Sequence, residues 1–251
     1  MLFERSLIYF PSRAHDWTPG DFGLAADEVW MTAEDGSRVH GWFLPCPDSR
    51  RTILFAHGNA GNISHRLDRV RLLQSRLRTD VLLFDYRGYG RSEGSPDEEG
   101  TYRDTRAAHD YLTKTRGIAA EKIVLFGESL GCAVVLDLAL TRCCAALVLE
   151  APFTSVADMA RAVLPFLPIA PLLHTRYDNL AKVGRLRAPL LILHGERDSV
   201  VPLAQGRRLF AAAPEPKRFS AIPGADHNDT YVTGGEAYWQ ALVAFVESLS
   251  L

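Results

Sequence analysis

Apolar residues along this chain fall into short blocks of two kinds. In Glu28 to Ala33 and Val39 to Leu44 they alternate with polar residues, and Asp35-Gly36 lies between the two runs. A period of two on either side of a turn dipeptide predicts a β-hairpin. Thr52-Ile53-Leu54-Phe55-Ala56 is apolar without alternation, the pattern of a strand covered on both faces. From there the two periods take turns. A helix over 65–77 precedes a strand over 80–85, a helix over about 98–115 precedes a strand over 122–126, and a helix over 130–141 precedes a strand over 145–149. A strand over 189–194, a helix near 203–213, a strand near 217–222 and a closing helix over about 236–249 complete the series. Repeated βα units behind an antiparallel opening predict an α/β fold with a mostly parallel sheet and helices on both faces. With no internal repeat and no linker, residues 1–251 read as one domain.

The series breaks between the strands at 145–149 and 189–194. Within an insertion of about 152–186, the run Val163 to Leu173 carries Pro165, Pro168 and Pro171 among large apolar side chains. Prolines so spaced forbid one long helix. The segment is either a connection packed on the core or a small cap over the carboxyl ends of the strands, where open α/β sheets bind ligands. We expect the cap, which would offer an apolar wall to an acyl or alkyl group.

Composition narrows the class. Of the 251 residues 47% are apolar and 23% charged, and the net charge is −2; this suits a globular chain and argues against a nucleic-acid surface or a polybasic membrane patch. The basic cluster from His65 to Arg78 reads as the solvated face of a helix whose core stripe is Leu67, Val70, Leu73 and Leu77. Cys46, Cys132, Cys143 and Cys144 show no metal-ligand spacing, so reduced thiols in a cytosol-like compartment are expected. No apolar run reaches the roughly 18 residues of a membrane span. The opening Leu2 to Pro11 is too short and interrupted for a signal peptide; it either packs on the body or is the remainder of an anchor, which keeps membrane contact through the N-terminus open.

The chemistry centres on Phe126-Gly127-Glu128-Ser129-Leu130-Gly131, which lies between the run Ile123-Val124-Leu125 and the run Cys132 to Leu136. A tight strand-to-helix turn thrusts a serine hydroxyl clear of its neighbours, and the close backbone approach asks for small flanking residues. The same turn puts helix N-terminal amides beside the hydroxyl. Gly90-Arg91-Ser92-Glu93-Gly94 has the same letters, but Ser95-Pro96-Asp97 follows it, so Ser92 reads as a loop residue.

A general base must lie on a loop after a strand. His227, in Pro223-Gly224-Ala225-Asp226-His227-Asn228-Asp229, meets that condition. His194 reads as a turn-packing residue, and His15, His40, His65, His109 and His174 as surface or satisfied histidines. The imidazole needs an acceptor on its other nitrogen. Asp198 ends the preceding βα unit, and the order Ser, Asp, His suits this architecture; Glu196 is its nearest rival, with Asp226 and Asp229 behind. The oxyanion would be held by the amide of Leu130 and by a second amide from His57-Gly58-Asn59-Ala60-Gly61-Asn62. Asn59 is the first choice there, Ala60 the second, and His57 is expected to hold the loop in place.

These segments, with Asp85-Tyr86-Arg87-Gly88-Tyr89-Gly90-Arg91-Ser92 and Leu7-Ile8-Tyr9-Phe10-Pro11, resemble the α/β-hydrolase superfamily over nearly the whole chain. Within it they look like the α/β-hydrolase-domain-containing branch, which holds depalmitoylating thioesterases and lysophospholipid or monoacylglycerol lipases, and whose relatives are often labelled serine aminopeptidase-like. The resemblance implies hydrolysis of an ester, thioester or amide through an acyl-enzyme, with no metal or organic cofactor. Several relatives carry an anchor before the matching region, and this chain starts where the match starts.

The expected activity is therefore a serine hydrolase acting on small-molecule acyl esters or thioesters. A peptidase is the subordinate reading, kept alive by Glu128 beside the nucleophile, since a free α-amine wants a carboxylate. A non-catalytic binding protein is the reading from another class; such descendants usually lose a triad member, and none is missing here.

Overall fold

The protein is described from a computed structural model covering residues 2–164, 166 and 172–249. Eight strands form one sheet: β1 Asp27–Thr32, β2 Arg38–Leu44, β3 Thr52–Ala56, β4 Asp80–Phe84, β5 Ile123–Glu128, β6 Ala146–Glu150, β7 Leu190–Gly195 and β8 Lys217–Ile222. Their order is β8-β7-β6-β5-β3-β4-β2-β1. β2 runs antiparallel to both β1 and β4, and all other pairings are parallel. The chain reversals at β3, β5, β7 and β8 therefore open on one edge of the sheet. This is the mostly parallel α/β sheet with an antiparallel opening that the sequence pattern predicts, in the α/β-hydrolase fold that the resemblance implies.

Side-chain alternation explains why the central strands are apolar throughout. Ile53, Phe55, Val124, Phe126, Val148, Leu191 and Leu193 face one way, into a cluster with Leu67, Val70, Leu73, Trp239, Leu242 and Phe245. Leu54, Ala56, Leu125, Leu147, Leu149 and Ile192 face the other, into a cluster with Ala108, Val134, Leu138, Val183 and Leu209. Each strand thus feeds two cores, and a polar residue on either face would lose its water. The helices covering the first face are α2 Leu67–Leu77 and α9 Gly235–Glu247; those on the second include α3 Glu98–Asp110, α4 Leu130–Ala139, α6 Asn179–Val183 and α7 Leu203–Ala212.

The remaining helices are α1 Leu2–Ile8, α5 Val156–Val163 and α8 Thr230–Thr233. α1 leads into Phe10–Pro11, which pairs in parallel with Ala60–Gly61, so the N-terminal stretch packs on the body. The predicted helix over 98–115 keeps its α form to Asp110 and widens into a π-turn over Tyr111–Thr115. The insertion contributes α5 and α6; its Pro165, Pro168 and Pro171 lie outside the described residues. No helix among the described residues is long and apolar enough to cross a membrane.

Two readings need correction. The basic face of α2 is not wholly solvated, because Arg69 is buried and Arg66 is nearly so. Leu67, Val70 and Leu73 do form the stripe, but Arg69 lies inside because two carboxylates wait for it at the ends of β5 and β6. His40 is neither a surface nor a satisfied histidine: its side chain is wholly buried and neither ring nitrogen has a hydrogen-bond partner.

Packing at the start of α4 is tight enough to test. A Cβ at Gly131 would overlap the carbonyl oxygen of Ala56, and one at Gly127 would meet Gly131 O at 2.5 Å. Backbone cannot step aside as a flexible side chain would, so Gly131→Ala is expected to cost about 3 kcal/mol or more. Urea denaturation would read this as a lowered midpoint at unchanged slope; a midpoint within error of wild type would contradict the packing account.

Candidate active site

Ser129 sits between β5 and α4 with φ 52° and ψ −110°. That left-handed value is unusual for a residue with a Cβ and costs on the order of 1–3 kcal/mol. The backbone is held there by the Ser129 N–H, which donates to Glu150 O at 2.9 Å. Ser92, by contrast, is buried in its loop, where its hydroxyl donates to Asp85 O and accepts from His40 N, both at 2.8 Å. The loop role expected of Ser92 is a latch between β2 and β4.

The loops after β7 and β8 meet over Ser129. His227 Nε2 lies 3.0 Å from Ser129 Oγ, and its Nδ1 lies 2.8 Å from Asp198 Oδ2. A carboxylate only accepts, so Nδ1 carries the hydrogen and Nε2 is left to accept from the serine hydroxyl. Asp198 is itself fixed: its Oδ1 accepts from the Val200 and Val201 amides at 2.9 and 2.7 Å, and His194 Nε2 stands 3.3 Å from Oδ2. His194 also reaches Val201 O at 2.9 Å, which is the turn-packing role expected of it. The rivals do other work. Glu196 is exposed; Asp226 accepts from Ser199 and from the His227 amide; Asp229 accepts from the Asp226 amide.

Asn59 and Leu130 both line the cavity that Ser129 opens into. The Asn59 carbonyl accepts from the Phe10 amide at 2.9 Å and the Tyr89 hydroxyl at 2.8 Å, and its side chain donates to Ile8 O at 2.8 Å. Its own N–H and that of Leu130 donate to no acceptor among the described residues. Ala60 is exposed in the bridge to Phe10–Pro11. His57 is fully buried against Tyr86 and Tyr89, with Nδ1 2.7 Å from Gly58 O, as a loop-holding residue should be.

Electrostatics separate the histidines. Burial pushes His227 down, but the hydrogen bond and charge of Asp198, with the more distant Glu128 and Glu150, outweigh it and leave the imidazole above its ordinary value. Burial and then the Arg66 charge push His57 down to about 4. Burial would raise Asp198, yet the bonds from His194 and His227 hold it well below the usual carboxylate range.

Behind the serine lies a charge network that sequence reading missed. Arg69 is 3.0 Å from Glu150 Oε1 and 3.5 Å from Glu128 Oε2, and Arg66 makes two 3.0 Å contacts to Glu128. Burial opposes ionisation of Glu128, but the Arg66 and Arg69 charges bring it to about 2. Glu150 also accepts from the Thr230 and Tyr238 hydroxyls, and Arg69 stacks 4.1 Å from the Tyr231 ring. Glu128 is therefore committed to arginines and does not line the cavity.

The cavity itself, about 380 Å³, is walled by Ile8, Phe153, Val156, Met159, Val163 and Leu173, among others. α5 supplies the apolar wall expected of the insertion, and α1 supplies a part that was not foreseen. Glu4 lines it too, but its Oε1 accepts the His174 and Thr175 amides at 2.9 and 2.7 Å.

The chain belongs to the α/β hydrolase family, whose sequence model matches residues 53–182. Among its relatives is the Mycobacterium tuberculosis protein Rv2307c, 39% identical over 97% of this chain and 87% of its own length. The Arabidopsis thaliana α/β hydrolase domain-containing protein WAV2 is 36% identical over 98% of this chain and 88% of its own. The Pyrococcus furiosus esterase Pf2001 superposes with a TM-score of 0.80 over 96% of this chain and 98% of its own, at 19% identity, a likeness of fold.

Two measurements test the electrostatics. By NMR, His227 is expected to titrate above the roughly 6.5 of a free histidine, and Asp198→Asn should bring it down, because the bond and charge that favour the imidazolium are gone. Arg69→Met should cost about 3–5 kcal/mol by denaturation, since it leaves buried carboxylates without their partner, and adding Glu128→Gln and Glu150→Gln should recover part of the loss. A His227 value unmoved by Asp198→Asn, or an Arg69→Met stability equal to wild type, would contradict the corresponding account.

Proposed function

We propose that the protein is a serine hydrolase that cleaves carboxylic esters or thioesters of apolar acyl groups, within one α/β-hydrolase domain. The relay Ser129–His227–Asp198 at the mouth of an apolar cavity carries this reading. Ser129 Oγ attacks the acyl carbonyl while His227 Nε2 takes its proton, and Asp198 steadies the imidazolium that results. The carbonyl oxygen gathers negative charge and is received by the amides of Asn59 and Leu130. The intermediate collapses, the C–O or C–S bond breaks, and the leaving alcohol or thiol takes the proton from His227. Water then attacks the acyl-enzyme and gives a proton to His227; the bond from the acyl carbon to Ser129 Oγ breaks, His227 returns the proton to Oγ, and the carboxylic acid leaves.

The cavity walls favour acyl chains over amines. A peptidase acting on a free α-amine would want an unpaired carboxylate near Ser129. Glu128 is paired with arginines behind it, and Glu4 is occupied by the His174 and Thr175 amides.

A fluorophosphonate probe should label the wild type and not Ser129→Ala; equal labelling of both, or none of either, would sink the hydrolase reading. With p-nitrophenyl esters kcat/KM should rise with chain length by up to about fourfold per methylene, the rate equivalent of about 0.8 kcal/mol, until the cavity is filled. Preference for an aminoacyl-anilide over every ester would favour the peptidase instead. The base works only when neutral, so kcat/KM should fall as pH drops through the raised His227 value, and in Asp198→Asn the limb should move to lower pH at a much reduced rate.

A further inference from the structure

Away from Ser129, ligating side chains gather where the N-terminal arm crosses the base of the hairpin. His15 from the arm, His40 from β2 and Asp85 just after β4 bring one donor atom each within 4.8 Å of one another. His15 Nε2 is 2.9 Å and His40 Nδ1 3.8 Å from Asp85 Oδ2. The Asp85 and His40 side chains are wholly enclosed, and that of His15 is 12% exposed. The other oxygen of Asp85 is served by the Ile63 amide at 3.0 Å.

His40 is not served. Neither nitrogen has a hydrogen-bond partner, and the rings of His15, Trp30 and Trp42 pack about it. A buried polar atom without a partner is costly, and a cation between His40 Nδ1 and Asp85 Oδ2, 3.8 Å apart, would supply one. Gly90 lets the backbone pass close beside the cluster, since a Cβ there would overlap Asp85 Oδ2 and stand 2.6 Å from His15 Nε2.

We propose that His15 Nε2, His40 Nδ1 and Asp85 Oδ2 form a binding site for a divalent transition-metal ion, zinc. Two imidazoles and one carboxylate suit zinc rather than magnesium or calcium, which take oxygen shells. Tetrahedral bonds of about 2.0–2.1 Å set neighbouring donors roughly 3.3 Å apart; the two separations to Asp85 Oδ2, 2.9 and 3.8 Å, straddle that spacing, and with all three pairs within 4.8 Å the two imidazoles would draw together by side-chain rotation on binding. The fourth position falls to water on the His15 side. His40 Nε2 faces Glu28 Oε1 at 3.5 Å, the outer carboxylate that commonly orients a metal-bound histidine. The ion would pin the arm to β2 and β4. The same arm receives Asn62 Nδ2 on the carbonyls of Ser12 and Ala14, so occupancy would also steady the loop that carries Asn59.

The test is calorimetric titration of the chelator-treated 251-residue chain with zinc chloride, beside His15→Gln, His40→Gln and His227→Gln. One equivalent is expected in wild type and in His227→Gln. His15→Gln, the change at the partly exposed ligand, should weaken it at least as much as the roughly 10- to 100-fold lost with an outer ligand, and His40→Gln should do the same if it folds. Cobalt should give visible d–d bands without thiolate charge transfer, which excludes the cysteines as ligands. Zinc should raise the melting midpoint of wild type and not of His15→Gln. No stoichiometric uptake by wild type, uptake unchanged in His15→Gln, or uptake lost in His227→Gln would overturn the proposal.

Discussion

The site depends on one close approach. α4 comes so near β3 that only glycine fits at position 131, and the turn before it leaves Ser129 in a backbone conformation that residues with a Cβ avoid. The strain, on the order of 1–3 kcal/mol, is offset by the packing that follows. Leu130 to Leu136 and Leu138 are all buried, and the Leu and Val side chains among them contribute about 1.5–3 kcal/mol each on leaving water. Packing of the helix outweighs the strain at the serine. This conformation turns the hydroxyl toward His227 and leaves the Leu130 amide without an acceptor among the described residues.

Buried charge then fixes what stands opposite the serine. Ionic pairs inside a protein are weak devices for stability, because desolvation consumes most of their attraction. Here the same pairs join separate elements: Arg69 of α2 meets Glu128 at the end of β5 and Glu150 at the end of β6. Glu150 in turn is held by Thr230 and Tyr238, and Arg69 by the ring of Tyr231. Thr230 and Tyr231 open the helix three residues after His227. The network therefore ties the loop of the histidine to the turn of the serine. A hydrophobic replacement of equal volume would fill the space without specifying that register.

Much of this was legible in the chain. Strands buried on both faces announce themselves as apolar runs, so β3 was bounded to the residue; β8, a partly exposed edge strand, was placed as closely by its position in the βα series, and the other strands of the sheet lie within a residue or two of their predicted ends. Ser129, Asp198 and His227 were legible because each stands on a loop after a strand and because their order suits the fold. Arg69 was not, since its amphipathic helix assigns it to the polar face, and only the tertiary position of two glutamates draws it inward. His15, His40 and Asp85 were equally hidden. They come from an arm, a hairpin and a strand end, with no spacing that resembles a ligand motif. Sequence periodicity reports which face of an element is apolar; it is silent on which charges meet across elements.

The N-terminal stretch changes most in meaning. Read alone, it was either a packing segment or the remainder of an anchor. In the fold Tyr9 is buried, with its hydroxyl 2.9 Å from that of Tyr177, while Leu7 and Phe10 are half exposed beside the cavity. Ile8 O and Phe10 N hold both ends of Asn59, and Glu4 holds the amides of His174 and Thr175. One short arm thus touches the candidate oxyanion loop, the apolar wall of the cavity and the connection after α5. A segment with that many backbone partners is part of the site, and whatever reorients it will reach Asn59 before it reaches Ser129.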